Sequence, residues 1–316
     1  PPSNQAPAMC SWHRKSCVVA SLVVALGVRP GRAPVAAGAE PQTGQPLWVR
    51  ALDRPRNLST YEPPADLNYT FFVVLTMPRS ASCELLDVLN NHTSVHADGE
   101  IFMDSVFSAT PENRLFVGPE ARWTQEARDA DRTAFLRDVV EGAAPRRKRG
   151  ARARGFKCMN NQLQVDELRL LTRAKHVLKI VLRRQDTLAR HVSLRRASLV
   201  GEFLRPRDAG VRAAFEATRV EVSLTQYEHF AAIDASWYDW LAEESVFHPE
   251  SWLFVSTERL VSDSSTMSAI YAHLRVPPGS GFPGYHPYTT DVLEDKVTNW
   301  EEIRELRDEL VIDNVW

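Results

Sequence analysis

Arg79, Ser80, Ala81, Ser82, Cys83 and Glu84 lie between an apolar run, FFVVLT (71–76), and a segment with Leu85, Leu86 and Leu89 at helical spacing. Small residues in such a strand-to-helix turn let successive N–H groups converge where a helix N-terminus adds its positive dipole end, and that combination cradles an anion. A phosphate held there also meets serine hydroxyls and the forked guanidinium of Arg79. A generic turn with a solvated arginine is the plain alternative. The second concentration of charge is VLRRQDTLARHVSLRRAS (181–198), where Arg183 and Arg184 end another apolar run and Ser193 follows nine residues after Arg184. That is about two and a half turns of a helix at ~3.6 residues per turn. By itself it reads as the solvated basic face of a helix.

The first loop does not have the chemistry of a nucleotide hydrolase. A Walker loop needs G-x-x-x-x-G-K-[ST], and here neither glycine nor lysine occurs between Thr76 and Cys83. Two arginines, rather than a magnesium-binding aspartate, follow the apolar run that ends at Leu182. This disfavours a P-loop kinase and calls for a second anion. Metal chemistry has little support, because the nine histidines are scattered and neither H-E-x-x-H nor a paired C-x-x-C spacing occurs.

The elements that must position these residues follow from the alternation of apolar runs and helical patterns. Strands are expected at Phe71–Thr76, Gly155–Cys158, His176–Leu182 and Trp252–Thr257. Helices are expected at 82–91, 132–141, 163–173, 186–200, 207–230, 234–244, 262–274 and 300–310, the last capped by Asn299 with Glu302 three residues on. Strands that are apolar throughout and separated by helices imply a parallel sheet covered on both faces, an α/β doubly wound core. Ligands of such sheets bind outside the carboxyl ends of the strands. The Arg79 loop is one of those ends.

With 316 residues and 44% hydrophobic content, the chain is long enough for one large core or two modest ones, and its formal charge of −2 gives no global bias toward nucleic acid. HRK (13–15), the 13-residue apolar run 16–28 and an A-x-A site at Ala37–Ala39 follow the grammar of a secretory signal. The run is shorter than the ~20 residues of a spanning helix. An organelle transit peptide is the rival, since acidic residues are absent before Glu40. Residues 1–39 are therefore read as a targeting segment, the place where any membrane association would arise, 40–67 as a linker, and 68–316 as one domain. The sequons at Asn57, Asn68 and Asn91 suit the secretory route. Cys10 and Cys17 leave with the targeting segment, so Cys83 and Cys158 do not make a disulfide-built fold.

Taken together, the two basic sites resemble a known family. A strand, a PRSASC loop and, roughly a hundred residues later, an apolar strand with LRRQDTLARHVS are similar to the sulfotransferases that use 3′-phosphoadenosine 5′-phosphosulfate (PAPS). The closest likeness is to the Stf0/NodH-like and carbohydrate-type branch, whose loop runs R-[ST]-G-[ST]-[ST]. HADGEIF (96–102), WLFVSTERLVSD (252–263) and EDKVTNWEEI (294–303) resemble further segments of that branch, so the likeness runs from about Tyr69 to Leu310.

The resemblance implies a P-loop-like three-layer sandwich, with residues 79–84 holding the 5′-phosphosulfate and Arg184 and Ser193 the 3′-phosphate. It implies no metal and an acceptor that carries a hydroxyl, on a carbohydrate or glycolipid. Two departures stand out: Ala81 replaces the usual Gly, and Cys83 a Ser or Thr. Ala81 is tolerable only with a negative φ, and Cys83 is expected to contribute its backbone N–H. Arg184 is assigned over Arg183.

Sulfuryl transfer requires acceptor and leaving oxygens in line and a cation at the leaving phosphate, a role for Arg79. Glu100 is the candidate base for the acceptor proton and His96 the runner-up, with Asp98 behind them. A protein-tyrosine sulfotransferase differs only in acceptor, and a non-catalytic nucleotide- or glycan-binding relative is the alternative from another class. PRRKRGARARG (145–155) reads as a solvated loop before an acidic-glycan site, and Trp237, Tyr238 and Trp240 as core before a sugar platform. Acceptor-binding residues are expected in 103–126 and 204–216.

Overall fold

The structure, a computed structural model, describes residues 69–103, 124–141, 151–201, 209–279 and 292–310. The targeting and linker segments and the sequons at Asn57 and Asn68 lie outside the described residues, as do most of 103–126 and part of 204–216.

Five strands form one parallel sheet: β1 (Thr70–Thr76), β2 (Val95–Glu100), β3 (Ala153–Met159), β4 (Val177–Arg183) and β5 (Trp252–Ser256), in the order β2-β3-β1-β4-β5. Alternate residues of β1 feed two cores. Phe71, Val73 and Leu75 pack with α3 (Arg132–Glu141), α4 (Val165–Thr172) and α7 (Leu224–Ser245). Phe72 and Val74 face α1 (Ser82–Asn91), α8 (Thr257–Ser262) and α9 (Ser264–His273). Both faces of the strand are buried, which is why it reads as an unbroken apolar run. Burial of each such side chain contributes about 1.5–3 kcal/mol. The expected P-loop-like three-layer sandwich is therefore observed. Where β1 and β3 approach, a Cβ on Gly155 would lie 2.2 Å from the Phe72 carbonyl oxygen, so only glycine fits.

The remaining helices are α2 (Gln125–Ala130), α5 (Thr187–Val200), α6 (Ala209–Ala217) and α10 (Trp300–Leu310). Among the described residues no helix is long and apolar enough to cross a membrane. Asn91, the sequon within reach, is exposed at the end of α1.

Three expectations need correction. VHADGE is a strand, β2, although only Val95 and Ala97 of it are buried. It is an edge strand, and the Asn90 amide pairs with both the N–H and the carbonyl of Ala97 (2.8 and 2.7 Å), covering the free side. The helix expected over 207–230 breaks after Ala217. Val220 bridges Val297, and the Asn299 amide satisfies both the N–H and the carbonyl of Val222 at 3.0 Å, so that stretch is held extended by a distant partner. The same contacts take the Asn299 carbonyl oxygen away from the capping role expected for it; its amide nitrogen donates to Glu302 at 3.0 Å. Trp237, Tyr238 and Trp240, by contrast, are buried in the core as their helical spacing predicts.

Lys179 on β4 is fully buried, and its ammonium donates to the Ala174 carbonyl (2.6 Å) and to Ser251 (3.1 Å). Burial lowers its pKa to about 7, against the opposing pull of Glu250 and Glu244. The unfolded chain holds that proton to about pH 10.4, so between pH 7 and 10 it binds more protons than the folded chain. Stability then rises with pH by up to about 1.4 kcal/mol per unit, while below pH 7 the burial cost is constant. Urea titrations at pH 7, 8 and 9 should show this rise in the wild type relative to Lys179→Met. A pH-independent difference between the two would contradict it.

Candidate functional site

The loop between β1 and α1 crosses the left-handed region twice, at Arg79 (φ 68°) and Ala81 (φ 58°, ψ 23°), with Ser80 between them and helical Ser82 after. Such alternation turns successive N–H groups inward as an anion nest. Ala81 offers no capping side chain to α1, so the helix starts without a side-chain cap at Ser82. Glu84 is half-buried and acidic, and only its backbone suits an anion. Ser80 is fully buried, and its carbonyl accepts from Thr257 at the start of α8 (3.0 Å), which pins the loop to the end of β5.

The condition set for Ala81 is not met, because its φ is positive. That conformation costs a side-chain-bearing residue roughly 1–2 kcal/mol. Ala81→Gly should stabilise the fold by about 1 kcal/mol, seen as a higher urea midpoint at unchanged slope. A lower midpoint would mean that the loop relaxes to a different backbone.

Arg79 and Ser193 are in contact: the Arg79 Nε donates to the Ser193 Oγ at 2.9 Å, joining β1's loop to the middle of α5 across 114 residues. Ser193 is buried there, and α5 is not a solvated helix face. Arg190, His191 and Arg196 are all fully buried. Arg196 donates to the Phe215 carbonyl and to that of Glu216 (3.2 Å), at the C-terminal end of α6. His191 lies between the Tyr227 and Phe230 rings, and burial, followed by Arg195 and Arg190, pushes its pKa down to about 4, so it stays neutral at pH 7.

The choice between the two arginines at the end of β4 rests on Asp234 of α7. Arg183 is buried and paired with Asp234 (3.1 Å), which also pairs with Arg190 (2.5 Å). Arg183 further faces the Tyr238 ring at 4.7 Å, and Tyr238 donates to the Leu182 carbonyl (2.9 Å). Arg184, next along, is half-buried in the turn before α5. That turn is shaped by Glu258, whose carboxylate accepts from the N–H of Gln185 (3.0 and 3.1 Å) and of Asp186 (3.3 Å).

Glu100 ends β2 beyond a bulge, since the register with β3 shifts between Asp98 and Glu100. The extra residue, Gly99, puts Glu100 on the α1 side of the sheet opposite Lys157. His96 and Asp98 precede the bulge, face the other side and pair with each other at 3.3 Å. Thus Glu100 is brought toward the Arg79 loop and His96 is not. The Glu100 carboxylate is gripped from both sides, by the Lys157 ammonium at 2.8 Å and the Gln162 amide at 2.5 Å.

Lys157 also donates to the Cys83 Sγ at 3.2 Å, tying the first turn of α1 to β3. Burial works against its charge, but Cys83 and Glu100 outweigh that and hold its pKa above the ordinary range. Burial raises the Cys83 pKa, against the pull of Lys157. Sequence reading missed Lys157, Gln162 and Asp234. The available signal for the first was a lone lysine inside GFKCM, because a charge in a buried strand needs a partner. Among the described residues no group of three or more metal-ligating side chains converges.

No protein-family model matches the chain, and no curated protein matches it. Among solved structures, a sulfotransferase domain from the curacin biosynthetic pathway is similar at 16% identity, covering 73% of this chain and 82% of its own, with a TM-score of 0.43. A sulfotransferase from Alicyclobacillus acidocaldarius is similar at 14% identity, with 77% and 92% covered and a TM-score of 0.40. The sulfotransferase domain of the Synechococcus PCC 7002 olefin synthase is similar at 16% identity, with 81% and 93% covered and a TM-score of 0.38. At these scores, any functional assignment has to rest on the chain's own residues.

Proposed function

We propose that the protein is a sulfotransferase that takes its sulfuryl group from PAPS and delivers it to a hydroxyl of a carbohydrate or glycolipid. The observation that carries the proposal is the Arg79–Ser193 hydrogen bond. Two segments that the resemblance assigns to the two phosphates of one donor meet at the carboxyl edge of the sheet, beside the strand order's switch point at β1. The residues fit that donor: a left-handed nest with an uncapped helix start for the 5′ side, and Arg184 with Ser193 for the 3′-phosphate. When bound, the donor supplies the sulfuryl group and a phosphate as leaving group.

In this reading Arg79 and the loop N–H groups neutralise charge growing on that phosphate. Glu100 takes the acceptor proton on a carboxylate oxygen, using a lone pair that Lys157 and Gln162 leave open. Lys157 holds the carboxylate in place. The secretory lumen is the expected location, from the grammar of the N-terminal segment, with an organelle as the alternative; nucleic acid is not an expected partner.

Calorimetric binding of 3′-phosphoadenosine 5′-phosphate to the full chain tests the reading, beside Arg79→Ala, Arg184→Ala and an ATP control. Micromolar binding that weakens about ten- to a hundredfold in each variant is expected, the worth of a hydrogen bond to a charged group. Equal binding of ATP, or no binding, overturns it. A glycan and an acidic tyrosine peptide, offered in turn as acceptors, then separate carbohydrate from tyrosine sulfation. Tight donor binding with no transfer to either would favour a non-catalytic relative.

A further inference from the structure

Two neighbouring asparagines end α1 with different duties. The Asn90 amide is committed to both the N–H and the carbonyl of Ala97 on β2. Asn91 is exposed, and among the described residues its side chain has no polar partner. The next residue is an anchor. His92 is buried, and its Nδ1 accepts from the Ser94 N–H (3.0 Å), which leaves the ring proton on Nε2 to donate to the Pro277 carbonyl (3.0 Å). The His92 ring also lies 5.0 Å from that of Tyr271 on α9. The backbone leaves the helix at His92 (φ −77°, ψ 130°) and closes a turn in which the Val95 N–H donates to the His92 carbonyl (3.2 Å). Thr93, inside that turn, is exposed. Asn91-His92-Thr93 thus has its middle residue pinned into the protein and its two outer residues at the surface.

We infer that Asn91 is an N-glycosylation site. The donor is an oligosaccharide carried on a lipid pyrophosphate. The Asn91 Nδ2 forms a bond to the anomeric carbon, and the bond from that carbon to the pyrophosphate oxygen breaks. The lipid pyrophosphate leaves, and one amide proton goes to a carboxylate of the transferring enzyme. The fold accommodates the product as it stands, because the Asn91 amide gives up no internal hydrogen bond and a bulky, hydrated group extends outward from an exposed helix end. The glycan is also remote from the anion nest: α1 begins at the Arg79 loop, and the two ends of its 10 residues lie about 15 Å apart. It stands instead beside the start of β2, an edge strand, where it hinders pairing with a second chain. The inference rests on the secretory route and not on the sulfotransferase reading.

The test expresses the full chain in a host cell that N-glycosylates secreted proteins. Peptide N-glycosidase turns each asparagine it releases into aspartate, which peptide mass spectrometry locates; an untreated sample corrects for spontaneous deamidation. Conversion is expected at Asn91. Asn91→Gln and Thr93→Ala should each lose one glycan by gel mobility, while Thr93→Ser, which keeps the hydroxyl of the sequon, retains it. Asn91→Gln should bind the same ligands as the wild type with unchanged affinity, as a site remote from the nest requires. Conversion at Asn57 or Asn68 with none at Asn91 sinks the inference and leaves the secretory route standing. No conversion at any of the three sinks both.

Discussion

Glu100→Gln should abolish nearly all transfer while leaving donor binding intact. General-base catalysis by a positioned carboxylate is worth about 10²–10⁴-fold, and the loss should fall on kcat. The substitution is chosen because the amide keeps the shape of the side chain and an oxygen for Lys157, 2.8 Å away. What disappears is the basic lone pair and the charge. Calorimetry with 3′-phosphoadenosine 5′-phosphate controls for the fold, and turnover is measured with the best acceptor from a glycan screen. If kcat stays within a few-fold of wild type, Glu100 is only the counter-ion of Lys157. The base must then be sought elsewhere, and His96 is a poor substitute because the bulge at Gly99 leaves it on the opposite face, paired with Asp98.

The largest effect on stability is expected from Asp234→Ala. Two arginines that are both buried, Arg183 and Arg190, share this one carboxylate. Removing one partner of a buried ion pair costs about 3–5 kcal/mol, because the surviving charge is left without water or a counter-ion. Here two buried charges lose the same partner. The melting temperature should fall by roughly 10 °C or more, on the scaling for a domain of this size. Arg183→Met, Arg190→Met and Asp234→Leu together should recover much of that loss, since a packed apolar triad avoids the desolvation cost. A small loss in the single variant would mean that water reaches Arg190. Asp234 pairs with Arg183 and not with the Arg184 proposed for the 3′-phosphate, so Asp234→Ala should weaken donor binding less than it weakens the fold.

Physical reasons separate what was legible in the sequence from what was not. β1, β4 and β5 were legible because they contribute to the cores on both sides of the sheet, which makes their sequences mostly apolar, Lys179 and Arg183 of β4 aside. β2 was hidden because it is an edge strand with one buried face, and VHADGE carries that signature in only two residues, Val95 and Ala97. The break after Ala217 was hidden because what holds Val220 and Val222 out of the helix is Val297 and Asn299, some 77 residues away.

The candidate site divides in the same way. Residue types alone determined that the 78–83 turn suits an anion, that it lacks the lysine of a Walker loop, and that a second basic segment follows a later strand. Those are local properties of backbone, small side chains and charge. Which arginine is committed to the fold, on which face Glu100 lies, and whether Arg79 meets Ser193 were decided only by the tertiary structure. Each depends on a partner from a distant part of the chain: Asp234 for Arg183, the bulge against β3 for Glu100, and α5 for Arg79. A buried charge takes its meaning from the counter-charge that folding brings to it, and no local pattern encodes that distance.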